Sequence, residues 1–69
     1  MTWKKLCENF PDPDEPILIR FHGKTFFAIR EQGETDCILC QEQMQGDFVL
    51  SINLDTPFTD PEILWRYDN

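Results

Sequence analysis

Short β-branched and aromatic runs separated by turn residues, and one stretch that alternates apolar and polar with a period of two, predict strands joined by short turns. Residues 17–21 (Ile-Leu-Ile-Arg-Phe) are β-branched and aromatic, as strands prefer. His22, Gly23 and Lys24 form a short loop, with glycine placed for a tight turn. Residues 25–30 (Thr-Phe-Phe-Ala-Ile-Arg) read as the return strand, so 17–30 is expected to be a hairpin. Residues 31–36 contain Gly33 and read as a loop. Residues 37–42 (Cys-Ile-Leu-Cys-Gln-Glu) form a third strand, and Gln45 with Gly46 turns the chain again. Residues 47–55 alternate most cleanly. Phe48, Leu50, Ile52 and Leu54 should face inward, and Asp47, Ser51, Asn53 and Asp55 outward, with Val49 the one apolar residue on the wet side. Residues 56–61 are a loop in which Thr59 or Asp60, followed by Pro61, can cap one turn of helix. Residues 63–67 (Ile-Leu-Trp-Arg-Tyr) close the sheet.

The N-terminus reads differently. Between residues 2 and 10, Trp3, Leu6 and Phe10 (or Cys7) share a helical face and Thr2 can serve as N-cap. Pro11, Pro13 and Pro16, interleaved with Asp12, Asp14 and Glu15, stop that helix and form an extended connector. The expected fold is therefore α+β and mainly β. One domain spans residues 1–69, with a short N-terminal helix on a four- to five-stranded antiparallel meander that can curl into a small open barrel.

Sixty-nine residues bury only about 60% of their unfolded surface, so the core must be thin. Nine aromatic residues supply much of its area and argue against disorder despite a net charge of −7. No apolar run approaches the roughly 20 residues a membrane-spanning helix needs. The N-terminus has no apolar leader, and three cysteines suit a reducing cytoplasm. An acidic chain is repelled by nucleic-acid phosphate and by anionic lipid, so neither is an expected direct ligand.

Charge is unevenly placed. From residue 31 to residue 65 there are eight carboxylates (Glu31, Glu34, Asp36, Glu42, Asp47, Asp55, Asp60 and Glu62) and no Lys or Arg. If they converge, they form a patch that meets basic protein surfaces as a polyanion does. The plainer reading is that the charge keeps a small monomer soluble.

Other chemistry is sparse. Cys37 and Cys40, with Cys7 and His22, contain a zinc-type ligand set. However, residues three apart on a strand point to opposite faces, and no glycine makes a knuckle, so buried apolar thiols are the better reading. His22 has no nucleophile or carboxylate at a defining spacing, and a solvated loop histidine is expected. Asp12, Asp14 and Glu15 lack the glycine and distal glutamate of a calcium loop. No cofactor loop or nucleophile–base pair is visible, so an enzyme is not expected, and no cofactor is assigned.

Trp3, Phe10-Pro11, Glu15-Pro16-Ile17-Leu18-Ile19 and Trp65 resemble the pattern of a family of short phage and prophage proteins: an early Trp, an acidic Pro-containing stretch, an apolar strand and a late Trp. The resemblance covers the first thirty residues and the last five, and the chain ends Trp-Arg-Tyr-Asp-Asn without that family's proline-rich tail. In size and charge the chain is similar to phage anti-CRISPR proteins, several of which occupy the DNA-binding surface of a CRISPR effector. That likeness implies a non-enzymatic inhibitor, active in the host cytoplasm, that mimics DNA and binds a basic nucleic-acid-binding surface. The alternative from the residues themselves is a small structural zinc protein or adaptor using Cys7, His22, Cys37 and Cys40.

Overall fold

The computed structural model describes residues 2–43, 46–55 and 60–68. They form six strands: β1 (Lys4–Lys5), β2 (Pro16–Phe21), β3 (Lys24–Gln32), β4 (Asp36–Gln41), β5 (Phe48–Asn53) and β6 (Ile63–Tyr67). All neighbours are antiparallel in one open sheet of order β1-β6-β2-β3-β4-β5. Strands β2 to β5 are a meander, and β6 returns to the opposite edge to pair with β2. The expected 17–30 hairpin is present. Its turn has φ 49° at His22 and 91° at Gly23. Two successive left-handed residues make the type I′ turn whose twist matches the flanking strands.

One face of the sheet carries the core. Ile17 and Ile19 of β2, Phe26 and Ala28 of β3, Ile38 and Cys40 of β4, Ile52 of β5, and Ile63 and Trp65 of β6 are all buried. The segment after β1 crosses this inner face. Leu6 donates its backbone N–H to the Ile63 carbonyl, and the Trp65 indole Nε1 donates to the Asn9 carbonyl at 2.8 Å. Leu6 and Pro11 are fully buried there, so a prolyl connector acts as the lid of the core. Tyr67 packs edge-on against Trp65 at 5.1 Å and accepts the Asp12 N–H on its hydroxyl.

The N-terminal helix expected from the Trp3, Leu6 and Phe10 spacing is not formed; the chain is all-β among the described residues. Lys4 and Lys5 pair with Trp65 and Leu64 instead, and only one tight turn follows, in which the Glu8 and Asn9 N–H groups share the Lys5 carbonyl. A nine-residue helix is too short to hold itself in water, so its fate depends on packing. Pairing with β6 satisfies backbone groups that a helix end would leave open. It also separates Trp3 from Leu6, sending Trp3 to the outer face and Leu6 to the core.

The β5 alternation is also corrected at its start. Cys40 pairs with Leu50 but Gln41 pairs with Phe48, so Val49 is the extra residue of a β-bulge. The bulge reverses the facing of Phe48, which is 52% exposed. Strand β3 runs to Gln32, two residues into the expected loop. Asp60 and Pro61 open a turn rather than a helix, with Asp60 Oδ1 accepting the Glu62 N–H. The expected loop at 56–59, the Thr59 cap and Gln45 lie outside the described residues. Among the described residues no helix is long and apolar enough to cross a membrane.

Candidate functional site

The register separates the sheet into two ends. The upper end carries the His22-Gly23 turn, and the lower end carries the loop joining β3 to β4. Arg30 organises the lower end. It lies late in β3, and its side chain is 14% exposed. Its Nε and Nη2 donate to the two carboxylate oxygens of Asp36 at 2.9 and 2.6 Å, and its Nη1 donates to the Pro11 carbonyl at 2.8 Å. The Asp14 N–H donates to the Arg30 carbonyl. One guanidinium thereby holds the acidic connector against the end of the sheet. The Arg30 hydrogen bonds hold the Asp36 carboxyl below its ordinary range against an opposing effect of partial burial, and Asp36 raises Arg30 in turn. The Asp36 N–H donates to Asp55 Oδ2, and the Asp68 N–H to the Pro16 carbonyl, which brings the ends of β5 and β6 to the same rim.

Eight carboxylates therefore share the lower end: Asp12, Asp14, Glu15, Glu31, Glu34, Asp36, Asp55 and Asp68. Arg30 is the one cation among them. The other five carboxylates (Glu8, Glu42, Asp47, Asp60 and Glu62) share the middle and upper parts with the other five cations. The −7 net charge of the chain thus resides at one end, and the rest is balanced. At the upper end Lys24 pairs with Glu42, and His22 lies between Asp60 and Glu62.

Of the eight residues predicted to converge, the fold brings Glu31, Glu34, Asp36 and Asp55 to the lower end. It places Glu42, Asp47, Asp60 and Glu62 at the upper one. The sequence reading missed Asp12, Asp14, Glu15 and Asp68. Their signal was the proline spacing, which sets an extended connector long enough to reach the far end, and a single basic residue, Arg30, to receive it.

The cysteines and His22 do not form a ligand set. Cys37 and Cys40 lie on opposite faces of β4, so their thiols diverge and do not point at one ion. His22, Asp60 and Glu62 do cluster, with ligand atoms within 4.8 Å. The carboxylates approach different ring nitrogens, Nε2 at 2.7 Å and Nδ1 at 3.3 Å. That arrangement suits an imidazole held between two anions better than three ligands around one ion. The Glu62 backbone N–H, then His22, holds Asp60 below its ordinary range.

The outer face of the sheet is apolar at its centre and polar around it. Leu18, Phe27, Ile29, Leu39 and Leu64 are half-buried there, and no described element of the chain covers it. A shallow cleft of about 180 Å³ opens among Phe27, Ile29, Gln41 and Phe48. At one corner the guanidinium groups of Arg20 and Arg66 lie 4.7 and 5.3 Å from the Trp3 ring centre. Compared with protein-family models, curated proteins and solved structures, the chain has no match.

Proposed function

We propose that this protein is a non-enzymatic binder that applies its acidic lower end to the basic, nucleic-acid-binding surface of a partner protein and excludes nucleic acid from it. One observation supports the reading: the entire net charge sits on one rim, built from four separate chain segments. A duplex presents about one charge per 1.7 Å of its axis, and proteins meet it with Lys and Arg. Carboxylates fixed on a sheet edge offer the same cations a competing anion. A phage inhibitor acting in host cytoplasm on a CRISPR effector is the biological setting that fits such a device.

The test is capture of partners from bacterial lysate on the tagged protein, eluted with a salt gradient. The lower-end variant Glu31→Lys/Glu34→Lys/Asp55→Lys and the upper-end variant Glu42→Lys/Asp47→Lys are run beside the wild type. A nucleic-acid-binding complex that is released by moderate salt, retained by the upper-end variant and lost by the lower-end one is expected. Equal retention by both variants overturns the proposal.

A further inference from the structure

We propose that the outer face of the sheet is a homodimer interface, covered by a second copy of this chain in antiparallel orientation. Strands β2, β3 and β4 carry apolar residues on both faces: Ile17-Leu18-Ile19, Phe26-Phe27-Ala28-Ile29 and Ile38-Leu39-Cys40. Unbroken apolar runs on adjacent strands are the pattern of a sheet buried on both sides. Here, apart from Trp3 at one corner, no described segment covers the second side, although stable sheets pack in two layers.

The register says why a second copy fits. On the outer face, one cross-strand row runs Arg66, Leu18, Phe27, and the next runs Asp68, Pro16, Ile29, Leu39. A two-fold axis lying across the strands between these rows sets each row of one copy over the other row of its mate. Leu18 and Phe27 then cover Pro16 and Ile29 of the second copy. Arg66 meets Asp68 of the second copy, and the same pair recurs by symmetry, as an isologous interface demands. The axis also places each acidic lower end beside the mate's upper part, which holds the balanced charges. A two-fold axis along the strands would instead stack one −7 rim on the other. The face-to-face arrangement is that of an aligned β-sandwich. The apolar centre spans four strands (β6, β2, β3 and β4) about 4.8 Å apart, which gives a contact near the small end of stable interfaces. Asp68 passes from the acidic rim into the interface, the two lower ends lie at opposite ends of the dimer, and self-association is read without any other partner, so this inference is tested apart from the proposed function.

Sedimentation equilibrium of the wild-type chain, from about 1 to about 500 μM, should show a species of twice the 8.2 kDa chain mass. Arg66→Glu and Asp68→Arg, each with native circular dichroism, should each weaken association about tenfold or more, because each change breaks two symmetric pairs. The double variant Arg66→Glu/Asp68→Arg should restore it. Phe27→Ser should abolish it. A monomer at every concentration and salt overturns the proposal, and so does a dimer that both single variants leave unchanged. A dimer lost equally in the single and double variants also overturns it, because the charge pairing would then be absent.

Discussion

Arg30 and Asp36, six residues apart on facing strands, form a two-pronged ion pair whose third prong reaches Pro11. This pair ties the lid of the core to the end of the sheet that carries the negative charge. Arg30→Ala leaves Asp36 half-buried without its donor, frees the Pro11 carbonyl and removes the only cation of the rim. A loss of about 2 kcal/mol is expected, or roughly 8–16 °C in melting temperature for a chain this small. Arg30→Lys keeps the charge but loses the fork, and should recover only part of the loss. Thermal unfolding followed by circular dichroism separates these outcomes. Because the folded-state pKa of Asp36 is depressed, its contribution is present above the unfolded value of about 3.8 and lost as pH falls through the lower folded value. Asp36→Asn should therefore flatten the acid limb of the stability curve and leave the slope above pH 5 unchanged. An unaltered acid limb would assign the acid transition to other carboxylates.

Gly23 gives a clean test of backbone strain. Its φ is 91°, and a Cβ built there meets nothing within 4 Å. Any cost of Gly23→Ala is thus conformational and not steric crowding with neighbours. A loss of about 1 kcal/mol is expected in urea unfolding, with the m-value unchanged. A gain in stability would mean that the turn has another form in solution.

Most of the sheet was legible in the chain. The hairpin, the third strand and the last strand follow from β-branched and aromatic runs broken by turn residues, which are local properties. What failed was set by distant partners. Residues 2–10 have a fair helical spacing, but the open edge of β6 decides their conformation. The alternation of 47–55 is right from Leu50 onward and wrong at Phe48, because a bulge at Val49 depends on the register against Cys40 and Gln41. Acidic content was also legible, but its grouping was not. Asp60 and Glu62 are near Asp55 in sequence yet lie at the other end of the sheet, whereas Asp12 and Asp14 are far in sequence yet share its end. Apolar residues on both faces of β2, β3 and β4 were visible in the sequence as unbroken runs.

The three thiols should differ sharply in reactivity. Cys7 and Cys37 are half-buried, whereas Cys40 has no exposed surface and its pKa is pushed up to about 12 by burial. The thiolate is the reactive form, so Cys40 should resist iodoacetamide in the native protein at pH 8. Peptide mass spectrometry should find Cys7 and Cys37 alkylated first, with Cys40 following only in denaturant. Early modification of Cys40 would mean that the inner face opens readily.

The charge separation can be tested without knowing any natural partner. A short oligolysine carries closely spaced cations and no shape of its own, so it reports the electrostatic preference of the surface alone. Titrated into the labelled protein, it should shift the amide resonances of Asp12, Asp14, Glu15, residues 31–36 and Asp55, and leave those around His22 and Glu42 nearly still. Binding should fall several-fold between low and physiological salt, since exposed charges are screened within about 8–10 Å. Glu34→Gln and Asp55→Gln should weaken it, and Glu42→Gln should not, because Glu42 already pairs with Lys24. Shifts spread evenly over both ends would mean that the rim behaves as a collection of independent solvated acids. Shifts confined to the lower end would show that gathering eight carboxylates at one end of the sheet has made a directional binding surface.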